Sequence, residues 1–387
     1  MIVKRKSRRF RIEKKCPGPL CKDFVTLSRI TVMASTRIIS SVHRSSLAGL
    51  GRMLQAGAYR HARYFILLDE NTFTHCLPRL VASVPALHEA EFIELPVGEA
   101  AKTIETAGQV WCALMDSGAD ADSVLVNLGG GCVSDVGGFV AAGYQRGIRY
   151  INVPTTLLAM VDAAVGGKTA VNLQGVKNQV GFFHPPAAVC IHPVFLDTLP
   201  APERLSGRFE MLKSQLVGGD AVAAAPWDTA LDSPPPASLI VACARFKASV
   251  CRADPHDSGV RRILNFGHTF GHALESFLAR RGCPVPHGAA VAMGMWCELY
   301  LSVGKLHCVD SLLHRYEALV RGLLDVPRIT LADTESLLQL MRHDKKCADG
   351  TVRCVLLKEP GLPVIDVPLD DNEIRDALLK LHHQLRG

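Results

Sequence analysis

Hydrophobic positions follow two different rhythms along this chain. In the first half, short apolar runs alternate with stretches of helical spacing. Residues 64–68 (YFILL) run into Asp69-Glu70-Asn71, which predicts a strand and the turn after it. Residues 92–95 predict another strand. Over 103–117, Ala107, Val110, Trp111 and Leu114 fall on one helical face. Residues 124–128 lead straight into Gly129-Gly130-Gly131, and residues 150–153 form a further apolar run that Pro154 ends. Strands alternating with helices argue for a parallel α/β sheet. From about Asp197 the spacing turns helical, with substantial helices expected over 262–281 and 288–304. Ser233-Pro234-Pro235-Pro236 marks a surface loop. A late pair of strand-like runs, 352–357 and 364–367, flanks the turn Pro360-Gly361. There is no internal repeat. The expected architecture is an α/β dinucleotide-binding domain over 34–196, then a mostly α-helical domain over 197–387.

Length and composition agree with two domains. The chain has 387 residues, 48% of them hydrophobic and 21% charged, enough for two cores. The net charge of +6 hints at nucleic acid until it is located. Residues 1–33 carry ten Lys and Arg against two acids, a net of +8; the rest holds 33 against 35, a net of −2. The body is therefore nearly neutral and makes no case for nucleic acid. Met33 begins a segment that reads like a normal domain start, so the basic arm 1–33 is expected to be a disordered extension. It lacks the apolar stretch of a secretory signal. No apolar run approaches the roughly 18 residues of a membrane span. The thirteen cysteines form no C-x-x-C pair and read as reduced, mostly buried thiols. The expectation is a cytoplasmic protein with no membrane partner.

Two stretches carry candidate chemistry. The glycine triplet after a strand lets backbone pass close to a phosphate, and the next helix offers its N-terminal amides to an anion. The spacing departs from G-x-G-x-x-G, because Ser134 stands where the third glycine belongs, and no G-K-S/T follows. Asp135 and Gly137-Gly138 strengthen the binding reading. In the second half, His268 and His272 lie four apart on one face of an expected helix, a spacing that suits a divalent metal. No Glu sits between them as in H-E-x-x-H. His287 heads the next helix, and Glu210 could add an oxygen ligand. Arg261, Asn265 and Glu275 are expected on the same helix as the two histidines, a polar density that is costly to bury without purpose. Lys168 (in Gly166-Gly167-Lys168) and Lys177 (in Gly175-Val176-Lys177-Asn178) stand in loop-like stretches, and Lys213, Lys247 and Lys345 sit in apolar or glycine-rich surroundings. Near a metal, such cations suggest an anionic substrate.

At these residues the chain resembles the 3-dehydroquinate synthase family of sugar-phosphate cyclases. The matching runs are GGGCVSDVGGF, YQRG, VPTTLLAMVDAAVGGKTAVN, VKNQVG, LDTLP, RRILNFGHTFGHALE, PHGAAVAMGM and HDKK. They extend from about Asp69 to Val367, and MVDAAVGGKT and LNFGHTFGHALES are similar to bacterial members. The resemblance implies a carbon–oxygen lyase that converts 3-deoxy-D-arabino-heptulosonate 7-phosphate to 3-dehydroquinate and phosphate in the shikimate pathway. NAD would be the transient oxidant, zinc or cobalt the metal, and a homodimer the assembly.

By position, the resemblance implies NAD contacts at Asp69 and Asn71, then Glu99 and Lys102. They continue at Gly130, Gly131 and Asp135, then Thr155, Thr156 and Lys177, with Phe195 and Thr198 near the domain boundary. Glu210, His268 and His287 would hold the metal, leaving His272 for acid/base work. Arg146, Lys168, Lys247, Arg261 and Asn265 would act on the substrate, and Asp162, Asn178, Lys213 and Lys345 (or Lys346) would bind it. Three features depart from the family. Asp257 stands where a second acid/base Glu is normal, one methylene shorter. Phe209 replaces a small residue before the metal Glu, and Ser214-Gln215 replace an aromatic or His followed by Gly. The loop 220–237 is unusually rich in Ala and Pro. The alternatives are a related sugar-phosphate cyclase, a metal-dependent polyol dehydrogenase, and a degenerate NAD-binding protein.

Overall fold

The computed structural model describes residues 9–11, 36–40, 46–174, 176–222, 226–228, 230–231, 233–342 and 350–385. The chain divides into two units, Met1–Thr198 and Leu199–Gly387, so the division falls two residues after the expected 196/197 boundary.

Unit 1 is built on a parallel sheet. Its strands are β1 (Arg9–Arg11), β2 (Arg37–Ser40), β3 (Tyr64–Asp69), β4 (Glu91–Leu95), β5 (Val124–Gly129), β6 (Arg149–Pro154) and, after a hairpin, β9 (Ala188–Ile191). The spatial order is β1-β4-β3-β5-β6-β9-β2. From β3 the chain first adds β4 on one side and then β5 on the other, so the strand order reverses between β3 and β5. In open parallel sheets, ligands bind outside the carboxyl ends of the strands at such a reversal. Here those ends are Asp69 and Gly129. β5 is buried along its whole length, which is why it reads as a continuous apolar run rather than an alternating one. The one polar side chain within it, Asn127, donates to Asn152 Oδ1 of β6 at 2.9 Å.

Helices α1 (Ser46–Leu54), α2 (Glu70–His75), α3 (Leu77–Ser83), α4 (Ile104–Asp116) and α5 (Gly131–Gly143) complete this unit. Ala107, Val110 and Leu114 of α4 enter the core, and Trp111 stacks on Phe139 of α5 at 6.0 Å. The stretches around Lys168 and Lys177 are not loops. They form an antiparallel hairpin, β7 (Lys168–Leu173) and β8 (Val176–Phe183). β8 is exposed throughout, so no buried face imposes a period on its sequence. Of the basic arm, only Arg9–Arg11 is described: it pairs in parallel with β4 at the sheet edge. The rest of 1–33 lies outside the described residues.

Unit 2 is mainly helical: α6 (Ala201–Gly218), α7 (Ala237–Ala253), α8 (His268–Arg280), α9 (His287–Leu306), α10 (Asp310–Val320), α11 (Leu331–Arg342) and α12 (Asp371–Leu385). The antiparallel pair β10 (Arg353–Leu357) and β11 (Pro363–Pro368) matches the two late runs. Its core joins Phe266, Phe270 and Leu274 to Trp296, Tyr316, Leu337 and Leu378. Phe209 is fully buried in this core, so its bulk is used in packing. The expected helix over 262–281 is broken. A 3-10 turn spans Val260–Asn265, Phe266 is extended, and Gly267 is left-handed at φ 79° before α8 begins. A side chain at Gly267 would collide with Met295. Arg261 and Asn265 therefore stand on the turn, and only Glu275 shares the helix of His268 and His272.

Candidate active site

In unit 1 the glycine triplet forms the passage from β5 into α5. Gly129 closes the strand, where its carbonyl accepts Thr155 N–H at 3.0 Å, and Gly130 is the helix N-cap. No side chain caps α5, so its first amides have no side-chain acceptor. A Cβ on Gly130 would stand 3.0 Å from Thr156 Cγ2. An uncapped helix start at the strand-order reversal, with glycine where backbone must come close, fits a dinucleotide pyrophosphate.

Beside this turn lies a polar cluster. Lys102 is buried, with Nζ 2.7 Å from Asp135 Oδ2, 2.6 Å from Asn178 Oδ1 and 3.8 Å from Glu99 Oε1. Burial opposes its charge, but Asp135 and Glu99 raise its pKa overall. Glu99 is lowered: burial works against ionisation, and Lys102 with the Asn172 and Cys132 hydrogen bonds outweighs it. The hairpin supplies Asn172, whose amide donates to Glu99 Oε1 at 2.9 Å and whose Oδ1 accepts Asn178 N–H at 2.9 Å. Four expected residues, Glu99, Lys102, Asp135 and Asn178, thus meet in one cluster. Asn172 and Cys132 belong to it too; both lie within the matching runs but had no role assigned to them.

The remaining expected residues of unit 1 are more dispersed. Asp69 ends β3 and caps α2 by accepting Thr72 N–H at 2.8 Å, while Asn71 is exposed on that helix. Thr156 Oγ1 accepts Ala159 N–H at the start of a π-turn, Ala159–Ala163, that carries Asp162. Arg146 is exposed at φ 65°, directly after Gln145 at φ 49°. Two consecutive left-handed non-glycine residues store strain of the kind found at ligand clamps. Lys168 and Lys177 are exposed on the hairpin, Phe195 is buried and Thr198 is exposed.

Unit 2 assembles the second set around α6. Glu210 is 0% exposed and Lys213 1%, with Lys213 Nζ 2.6 Å from Glu210 Oε2. Burial would protonate Glu210; Lys213 and His287 outweigh it and hold the carboxyl far below the usual range. Its other oxygen, Oε1, accepts no hydrogen bond. It stands 3.6 Å from His268 Nε2 and 3.4 Å from His287 Nε2. Donors about 2.1 Å from one tetrahedral ion lie roughly 3.4 Å apart, so these separations suit a shared divalent cation. The ligand atoms of His268, His272 and His287 all lie within 4.8 Å of one another.

Further contacts aim the rings. His268 Nδ1 faces the Phe266 carbonyl at 3.1 Å, and His287 Nδ1 faces Glu275 Oε2 at 3.0 Å. Each Nδ1 is thereby occupied, which turns Nε2 toward the centre, the usual outer-shell arrangement at metal sites. Burial favours a neutral His287, yet the carboxylates on either side, Glu210 and Glu275, raise its pKa to about 10. A donor set that draws a proton this strongly is one a cation would neutralise. Glu298 of α9, also 0% exposed, accepts Gly267 N–H at 2.6 Å and fixes the entry to α8. Glu275 and Glu298 had no assigned role in the sequence reading, because each acts on a residue distant in sequence. Lys247 and Arg261 are buried and Asn265 half-buried; Asp257 is left-handed at φ 58°. Lys345, with its neighbour Lys346, lies outside the described residues.

Comparison with known proteins supplies the family. Residues 92–206 match the profile described as 3-dehydroquinate synthase N-terminal, and residues 207–347 the C-terminal one. The chain belongs to the 3-dehydroquinate synthase family. Among relatives, the 3-dehydroquinate synthase of Parabacteroides distasonis is 39% identical over 83% of this chain and 90% of its own length. That of Solibacter usitatus is 35% identical, over 85% and 94%. A solved 2-epi-5-epi-valiolone synthase from Streptomyces hygroscopicus subsp. jinggangensis 5008, with NAD+ and Zn2+ bound, superposes at a TM-score of 0.77. It is 26% identical and covers 92% of this chain and 99% of its own. The iron-containing alcohol dehydrogenase of Thermococcus thioreducens shares the fold at a TM-score of 0.65 and 17% identity, covering 90% and 98%. Among the described residues, no helix is long and apolar enough to cross a membrane.

Proposed function

We propose that this chain is a 3-dehydroquinate synthase that converts 3-deoxy-D-arabino-heptulosonate 7-phosphate to 3-dehydroquinate and phosphate, with NAD and a divalent metal. The observation that carries the reading is the Glu210 centre: a buried carboxylate oxygen with no hydrogen bond, faced by two imidazole Nε2 atoms. When bound, NAD supplies a reversible hydride acceptor and the metal a Lewis acid for a substrate hydroxyl.

The chain's own residues supply the rest. Glu210, His268 and His287 hold the metal, and the α5 turn with Glu99, Lys102 and Asp135 holds NAD. Lys213 is fixed by Glu210; with Lys247, Arg261 and Asn265 it binds the anionic sugar phosphate. His272, its ring 5.2 Å from that of His268, takes and returns protons beside the metal. Asp257 serves the second acid/base position, its shorter side chain reaching through a water. Arg146, Lys168 and Asn178 of unit 1 are further substrate-binding residues. We also infer a cytoplasmic homodimer, which sizing of the purified protein tests.

The deciding assay mixes purified protein, NAD, Zn2+ or Co2+ and the heptulosonate phosphate. Phosphate release without net NADH is expected. Accumulating NADH would point to a polyol dehydrogenase, and no phosphate release with all three bound would refute the assignment. Turnover of a different sugar phosphate in place of this one would make the chain a related cyclase.

A further inference from the structure

Between α7 and the Val260–Asn265 turn, the chain folds into a tight loop around a single carboxylate. Asp254 Oδ1 accepts Ser258 N–H at 3.0 Å and the Ser258 hydroxyl at 3.3 Å. Oδ2 accepts Gly259 N–H at 2.7 Å and Arg261 N–H at 3.1 Å. Three loop amides thus converge on one side chain, which is 7% exposed. Burial opposes ionisation there, but the amides of Ser258, Gly259 and Arg261 outweigh it and lower Asp254 to about 2. It is therefore a fixed anion at any working pH.

The loop holds two residues assigned to the reaction. Asp257 lies inside it at φ 58°, a conformation that Asp adopts more readily than Glu, since its short side chain can hydrogen-bond locally. Arg261 closes it: its own amide binds Asp254, and its Nη1 donates to the Pro255 carbonyl at 2.9 Å. The far end is tied separately, by Arg262 Nη1 to Asp366 Oδ2 of β11 at 2.7 Å. The loop is thus anchored at its C-terminal end, and its inner shape depends on Asp254.

We propose that Asp254 is a positioning residue for the reaction, its carboxylate shaping the 254–261 loop so that Asp257 and Arg261 meet the substrate. The inference rests on the function proposed above, which gives Asp257 and Arg261 their roles. Asn cannot replace this group fully: it has one acceptor oxygen, and its NH2 would face amide donors at the other position.

The test is Asp254→Asn in the full-length, metal-loaded protein. A misplacement of about 1 Å costs about 10²-fold, so kcat/KM for phosphate release should fall by about that factor, with KM raised and kcat lowered. Zinc content and NAD affinity should stay within about twofold of wild type, a split that general unfolding would not produce. Undiminished kcat/KM, or a loss shared equally by metal and NAD binding, overturns the proposal. Hydrogen exchange on the wild-type protein tests it independently of how the variant folds. The Ser258, Gly259 and Arg261 amides should exchange more slowly than that of exposed Val260 in the same loop; equal rates overturn it. Wild-type turnover is measured alongside. Its absence refutes the assigned reaction, whereas an unimpaired variant refutes only the role of Asp254.

Discussion

The two units build their binding chemistry from opposite materials. In unit 1 the central device is backbone: an uncapped helix start, glycines that admit close approach, and a surrounding cluster that is already ion-paired. In unit 2 it is side chain: three imidazoles and a buried carboxylate, with a buried ammonium held against the carboxylate. Backbone amides are partial charges that tolerate the empty state at little cost. Buried full charges do not, because each must be matched by another. The first kind of site should therefore fail gently under mutation and the second abruptly.

The strongest test of that contrast is Glu210→Ala. It removes an oxygen ligand and leaves Lys213 buried without its anion. Turnover should fall by at least about 10³-fold, as expected when Lewis-acid assistance worth several kcal/mol is lost. Stability should drop by about 3–5 kcal/mol, as when one partner of a buried ion pair is removed. Metal analysis and urea unfolding check the two effects separately; a variant that keeps one equivalent of metal would break the contrast. Next in size is Glu275→Ala, which frees Nδ1 of His287 without touching the metal. Metal affinity should weaken about 10–100-fold in a chelator competition, as for other outer-shell carboxylates. NAD binding should not change.

How much of this was legible in the sequence follows the same division. The glycine turn was visible because a buried strand leaves an unbroken apolar run and glycine marks its end. The histidines were visible because i,i+4 spacing is local. What escaped was tertiary. The break at Gly267 could not be seen, since the neighbour that leaves no room for a side chain there is Met295, 28 residues later. The hairpin was missed because its exposed strand has no buried face and its glycines resemble loop punctuation. Glu298 looked like any helical Glu until its partner, the Gly267 amide, was known.

A milder effect is expected in unit 1. Gly130→Ala places a methyl 3.0 Å from Thr156 Cγ2 at the mouth of the α5 turn. Overpacking costs about 1–3 kcal/mol, so NAD affinity should fall roughly tenfold by titration. Metal content should remain that of wild type. If the alanine variant instead lost its metal, the two devices would not be independent, and the contrast between them would need to be redrawn.

The smallest expected effect probes the support beneath the metal rather than the metal itself. Glu298 is not itself a candidate ligand; its carboxylate accepts the Gly267 amide at the left-handed turn into α8. Glu298→Gln keeps the shape and an acceptor oxygen but removes the charge. Hydrogen bonds to charged groups contribute about 1.5–3 kcal/mol and neutral ones about 0.5–1.5, so stability should fall by about 1 kcal/mol in urea unfolding. Metal affinity should barely move, because His268 keeps its own anchor on the Phe266 carbonyl. A large loss of metal would mean that the turn, and not that carbonyl, aims the ring; the side-chain site would then depend on backbone placement as fully as the nucleotide turn does.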